Sequence, residues 1–234
     1  MSNFGYYRPD AFPPVVKNLL IINGLMFLLQ MTFPNIAGFD IENTLALHDV
    51  RSVFFRPHQI VTHMFLHGGF SHIFFNMFAL WMFGQMLENR FGSKRFLIFY
   101  MVSGLGAALL HLTVLYFEMQ PVWEAFQSLP AEGQAEYINS PYFKINQATL
   151  GASGAVFGCL AAFGYLFPNT MIYVYFLLPI KAKWFVIIYA GLELFMGIRN
   201  SAGDNVAHFA HLGGALAGFL LVYFWNKTDR RRFY

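Results

Sequence analysis

Ser153 stands between glycines in Gly151-Ala152-Ser153-Gly154, at the head of an apolar run. A serine hydroxyl is a weak nucleophile until a base takes its proton, and histidine is the usual base near neutral pH. A candidate base heads a second apolar run, Ala207-His208-Phe209-Ala210-His211-Leu212-Gly213-Gly214. Attack on a carbonyl builds charge on its oxygen, which calls for preorganised donors. A third apolar run opens on His72-Ile73-Phe74-Phe75-Asn76, where positions 72 and 76 fall on one helix face. The His72 ring, the Asn76 amide and the Ser153 backbone N–H are suitable donors. The chemistry these types suggest is acyl transfer, with Ser153 as nucleophile and His211 as base.

The elements that carry these residues are membrane spans. Only 12% of the 234 residues are charged and 57% are hydrophobic, with mean hydropathy +0.47. A soluble domain carries about 25% charged residues. The 29 Phe and 12 Tyr suit lipid and interface contacts. A single cysteine, Cys159, excludes an internal disulfide framework and reads as core. A helix needs roughly 20 residues to cross a ~30 Å hydrocarbon layer. Six apolar stretches approach that length: 15–33, 71–88, 96–117, 148–167, 184–198 and 206–226. The fold class is therefore an all-α polytopic membrane bundle of six helices. Residues 1–14 form an N-terminal cytoplasmic or interfacial segment, 15–226 the six-span domain, and 227–234 a basic tail. Between spans lie a mixed loop at 34–59, a His- and Gly-rich stretch at 60–71, a long loop at 118–147 and an interfacial connector at 168–183.

Lys and Arg set the orientation. With the N-terminus inside, eleven of the fifteen fall on inner segments, from Arg8 and Lys17 to Arg230, Arg231 and Arg232. Both termini then lie in the cytoplasm, and the Arg230–Arg232 run is a membrane anchor, not a nucleic-acid patch. Spans two, four and six start at the outer face. Ser153 and His211 each lie about five residues into such a span, on the order of 8 Å below the boundary. His72 and Asn76 fall at a similar level. Polar groups inside a bilayer are expensive and mark functional sites.

Two pairs of small residues, Gly154 with Gly158 and Gly214 with Gly218, allow the fourth and sixth spans to approach closely. A direct Ser–His hydrogen bond requires that approach. No acid is evident beside His211, since Asp204 lies about two turns earlier, so the expected machinery is a dyad. His208, three residues from His211, reads as structural at the helix entrance. His63 and His67 read as loop braces through hydrogen bonds to backbone, and His111 and Glu193 as interhelix hydrogen bonds. Glu88 and Arg90 brace the inner loop. No HExxH and no carboxylate at ligand spacing accompany the histidines, so neither metal nor cofactor is expected.

These motifs resemble those of the rhomboid family of intramembrane serine proteases, in the six-span bacterial type. The likeness covers roughly 15–226. Gly151–Gly154 resembles the family's nucleophile motif, and Ala210-His211-Leu212-Gly213-Gly214 with Gly218 its catalytic-histidine helix. Thr62-His63, His67, His72 and Asn76 resemble the oxyanion segment, and Glu88-x-Arg90-x-Gly92 the turn after the second span. The resemblance implies that Ser153 attacks the scissile carbonyl, with His211 as base and then acid. It implies substrates that are other membrane proteins, cut in or near transmembrane segments. It also implies a bacterial inner membrane, with the site toward the periplasm. Two positions depart from the pattern. His58-Gln59 replaces the Trp-Arg of many bacterial relatives, and Phe157 replaces a tyrosine four residues after the serine. An aromatic face on His211 should survive that second change without the hydroxyl.

Two other readings compete. A non-catalytic rhomboid-like binding factor would be expected to lose Ser153 or His211, and both are present. A proton-relaying transporter would spread polar groups through the full membrane depth, whereas here they crowd the outer third, apart from His111 and Glu193.

Overall fold

In the computed structural model, residues 9–33, 35–36, 39–140, 142–174, 177–199 and 207–228 are described. Most of the N-terminal segment, most of the basic tail and Asp204 lie outside those residues.

Helix α1 (Pro14–Thr32) starts on a proline, whose fixed φ and missing N–H suit the first turn. Two-residue strands β1 (Asn35–Ile36) and β2 (Phe39–Asp40) pair antiparallel and lead into α2 (Ile41–Leu45). A loop then reaches α3 (Gln59–Thr62). Next comes one nearly continuous rod: α4 (Phe70–Ala79), a π-helical stretch Leu80–Gly84, and α5 (Gln85–Phe91). Gly92, at φ +79°, breaks the rod in a conformation that favours glycine, and α6 (Ser93–Glu118) follows. The long loop folds into α7 (Gln120–Gln127) and α8 (Ala131–Tyr137), over a small cluster of Phe126, Phe143 and Ile145. Then come α9 (Ser153–Leu166), a hairpin of β3 (Met171–Val174) and β4 (Leu178–Lys181), α10 (Ala182–Arg199) and α11 (His208–Thr228).

Among the described residues, three helices, α1, α6 and α11, are long and apolar enough to cross a membrane. Helix α9 is apolar but has only 14 residues. Large apolar side chains point away from the protein on these helices: Leu25, Leu28 and Met31 on α1, Leu109 and Phe117 on α6, Phe224 on α11. Helix α10 does the same with Ile188, Phe195 and Ile198. Helices that are apolar inside and outside belong in lipid.

The centre is a three-helix contact of α6, α9 and α11, and glycine makes it possible. A Cβ on Gly214 would overlap the Gly154 carbonyl, one on Gly154 would overlap Ala107, and one on Gly158 would overlap Ser103. A Cβ on Gly218 would come within 2.8 Å of the Gly158 Cα. Both small-residue pairs on α9 and α11 therefore face each other, and α6 packs into the same seam.

The Glu88 carboxylate, 2% exposed, ties this bundle to α1. It accepts the N–H groups of Val15 at 2.9 Å and Val16 at 2.8 Å, and the Ser93 hydroxyl at 2.6 Å. A carboxylate at a helix N-terminus satisfies otherwise orphaned donors. Arg90 on the same helix lies over the Phe167 ring, 5.8 Å from its centre. The expected bracing role of this turn has a concrete form.

One boundary differs in a way that matters. The fourth span does not run from 148: α9 begins at Ser153 itself. Thr149 instead forms a two-way backbone bridge with Leu47, at 2.7 and 2.8 Å. Gly151 at φ +138° then turns the chain. Extended pairing and a backbone that only glycine adopts easily exclude helix before residue 153. Helix α11 likewise begins at His208, so His211 is its fourth residue. The depth count of five residues from each span's start does not hold. What places both groups is where their helices begin.

Candidate active site

The Ser153 Oγ lies 2.8 Å from His211 Nε2, across 58 residues of sequence. The serine opens α9 and the histidine lies in the first turn of α11, at two helix starts held together by the glycine seam. Ser153 is half-buried, and His211 is 9% exposed. The distance is that of a nucleophile in contact with its base.

Phe157 packs flat on the His211 ring, with centroids 4.2 Å apart and planes within 4°. It lies four residues beyond Ser153, one turn along α9, so a single helix supplies both Ser153 and a wall for the His211 ring. Tyr189 of α10 contacts the Phe157 ring at 5.0 Å. The aromatic face expected at this position is present without a hydroxyl.

His211 has a second partner that the sequence reading did not assign. Its Nδ1 lies 2.9 Å from Glu193 Oε2, and His208 Nδ1 lies 2.6 Å from the same oxygen. All three side chains are buried. The expectation that no acid stands beside His211 is thus corrected. Glu193 bonds between helices as expected, yet the bond lands on His211. His208 also points at this carboxylate, so it is not merely an entrance residue. The signal in the sequence was an acid within the apolar run 184–198, which is itself a mark of function. Helix periodicity alone could not say which neighbouring helix that acid would face. These donor types would also suit a zinc ion, and their ligating atoms lie within 4.8 Å of one another. Here the carboxylate oxygen and the two imidazoles satisfy each other directly.

The donors expected for an oxyanion flank Ser153 unequally. His72 Nδ1 accepts the Gly68 N–H at 3.2 Å, which puts the proton of the neutral ring on Nε2. A Cβ built on Gly151 would lie 2.9 Å from His72 Nε2 and 3.5 Å from Ser153 Oγ. The His72 ring edge and the Ser153 hydroxyl thus both border the space that a side chain at 151 would take, and Gly151 leaves it open. Ser153 as first residue of α9 has no intrahelical acceptor for its N–H. Asn76 is buried, and its amide donates to the His72 carbonyl at 2.9 Å. That bond fixes the side chain on its own helix and leaves one amide hydrogen over.

Three further histidines, His63, His67 and His111, lie around this layer. His63 Nδ1 bonds the Gln59 carbonyl at 2.8 Å, a backbone brace as expected. The His63 carbonyl in turn accepts the Gly151 N–H at 2.9 Å. The His67 ring is buried and has no hydrogen-bond partner for either nitrogen among the described residues. It packs edge-on against His72 at 5.1 Å, so it supports that ring and not the loop backbone. His111 bonds the Thr149 hydroxyl at 2.8 Å, holding the segment before Ser153 instead of a second helix. Gln59, one of the two departures from the family pattern, is fully buried. Its amide donates to the Asn43, Thr44 and Phe54 carbonyls, which fastens the first loop from within.

The chain is similar to several known proteins. The chain is 28% identical to the RHOMBOID-like protein 12, mitochondrial, of Arabidopsis thaliana over 94% of its length and 60% of that protein's. It is 31% identical to Rhomboid protein 1, mitochondrial, of Saccharomyces cerevisiae over 74% of its length and 43% of that protein's. Its identity to the Rhomboid protease GluP of Bacillus subtilis is 30%, over 69% of this chain and 24% of that one. The chain thus spans less than two thirds of each of these relatives, from 24% to 60% of their length. Two of the names are mitochondrial, so they lend no support to a bacterial inner membrane for this chain. The apolar helices and these relatives make it an integral membrane protein. A family profile described as the Rhomboid domain matches residues 55–227, which takes in every residue of the site, and the chain belongs to the rhomboid family.

Proposed function

We propose that this protein is an intramembrane serine endopeptidase that cuts other membrane proteins in or near their transmembrane segments. Its domain, 15–226, crosses the membrane six times with both termini cytoplasmic, and the site opens toward the opposite face. His211 Nε2 takes the Ser153 proton as Oγ attacks the scissile carbonyl carbon. The new oxyanion accepts hydrogen bonds from the Ser153 N–H, His72 Nε2 and the spare amide hydrogen of Asn76. As the C–N bond breaks, His211 passes its proton to the leaving amine, and an acyl ester remains on Ser153. Water, deprotonated by His211, then releases the acyl group and regenerates the serine. No cofactor takes part in these steps.

The observation that carries the reading is the 2.8 Å contact of Ser153 Oγ with His211 Nε2. A binding factor without activity has no use for it. The test is labelling with a serine-directed fluorophosphonate, located by mass spectrometry. Modification at Ser153, lost in Ser153→Ala together with cleavage of a transmembrane reporter, is the expected result. His211→Ala should be equally inactive, whereas His208→Ala should keep measurable cleavage. Cleavage that persists in Ser153→Ala removes the nucleophile.

A further inference from the structure

Glu193 is a buried carboxylate in the middle of an apolar helix, and the steps above leave it without a task. An ionised carboxylate removed from water is costly unless it is paired. Its Oε2 receives two imidazole nitrogens, His208 Nδ1 at 2.6 Å and His211 Nδ1 at 2.9 Å. The two rings stand edge to face, 6.5 Å apart and 87° between planes, so they reach one oxygen from different directions. The chain of contacts continues from His211 Nε2 to Ser153 Oγ at 2.8 Å.

We infer that Glu193 is a positioning residue for this site, making it a relay of Glu193, His211 and Ser153 with His208 steadying the carboxylate. This rests on the reading of Ser153 and His211 given above. A carboxylate oxygen can only accept, so the proton of neutral His211 must sit on Nδ1. That leaves the Nε2 lone pair facing the serine hydroxyl, the one tautomer in which His211 works as a base. Phe157 fixes the plane of the ring and Glu193 fixes its rotation within that plane. When His211 takes the serine proton, its positive charge forms beside a fixed negative one, and no proton moves to the acid. His208 donates to the same oxygen and keeps it from turning away. Because Glu193 rides on α10 while the base rides on α11, the arrangement is complete only when those two helices are docked.

The competing account is a plain stitch between α10 and α11. The discriminating variant is Glu193→Gln, which keeps shape and hydrogen-bonding capacity and removes the charge. Steady-state cleavage of a transmembrane reporter would be measured for it in liposomes, alongside thermal unfolding. Positioning predicts that kcat falls by about 100-fold or more with KM unchanged, as loss of an orienting acid costs up to about 10⁴-fold in serine proteases. A kcat within about two-fold of the parent overturns the inference. Should Glu193→Gln fail to fold, nitrogen NMR of isotope-labelled histidines in the unmodified protein decides, with the His211 signal assigned by its loss in His211→Ala. A proton on His211 Nδ1 supports the relay, and a proton on Nε2 overturns it. Ser153→Ala is run in parallel. An active Ser153→Ala overturns both readings, whereas an inactive one beside a fully active Glu193→Gln overturns this inference alone.

Discussion

Phe157 and His211 lie face to face, one ring from each of two helices, 4.2 Å between centres. The contact covers one side of the imidazole and leaves its two nitrogens to Ser153 and Glu193. Aromatic pairs of this kind contribute about 0.5–1.5 kcal/mol beyond area burial. Phe157→Ala should therefore lower kcat roughly tenfold, through a base that is less well held. Phe157→Tyr keeps the stack and should stay within about two-fold of the parent. Turnover of a transmembrane reporter in liposomes measures both. A tyrosine variant as weak as the alanine variant would show that the ring's surroundings, and not its face, matter.

Asn76 tests the oxyanion assignment. Its amide is pinned to the His72 carbonyl, so Asn76→Ala removes one donor without unfolding a helix. Loss of an oxyanion donor typically costs about 100-fold or more in kcat. Steady-state kinetics should show that fall with fluorophosphonate still reaching Ser153. An unchanged kcat would leave the Ser153 N–H and His72 as the donors.

Gly214 tests the seam. A Cβ there meets the Gly154 carbonyl, a backbone atom that cannot swing aside. Overpacking of this kind costs about 1–3 kcal/mol or more, and it would separate the helices that bring Ser153 to His211. Gly214→Ala should lower the unfolding temperature in detergent and remove cleavage together. Gly24→Ala, where a Cβ would meet nothing within 4 Å, is the matched control and should change neither.

The residues of the site were more legible in the sequence than their positions. Ser153 and His211 could be paired because two apolar runs open on a nucleophile and a base, each followed by glycines that permit contact. The helix start at Ser153 was not legible, because the Leu47–Thr149 bridge that excludes helix before it joins segments about a hundred residues apart. Hydropathy reads 148–152 as part of the span and has no term for such pairing. Glu193 was visible as an anomaly but not as a partner, since its use depends on which face of α10 turns toward α11. The loop 118–147 hid α7 and α8; the apolar residues of α7 pack in a small cluster of their own with Ile138, Phe143 and Ile145.

The length of α9 has a consequence for how peptide bonds could be hydrolysed in an oily setting. Fourteen residues at ~1.5 Å each make a rod of about 21 Å, some 9 Å shorter than a ~30 Å hydrocarbon slab. A rod that short, with one tip at the slab's edge, ends inside the slab, and Ser153 is one of its tips. The missing length is occupied by chain outside α9: Thr149 paired with Leu47, the Gly151 turn, and a short 3-10 turn that carries the buried His63. Adding one turn between Ser153 and Leu166 would lift the hydroxyl toward the headgroups by about 5 Å. On the proposed function, the stature of a single helix would set the level at which a membrane-embedded chain is opened.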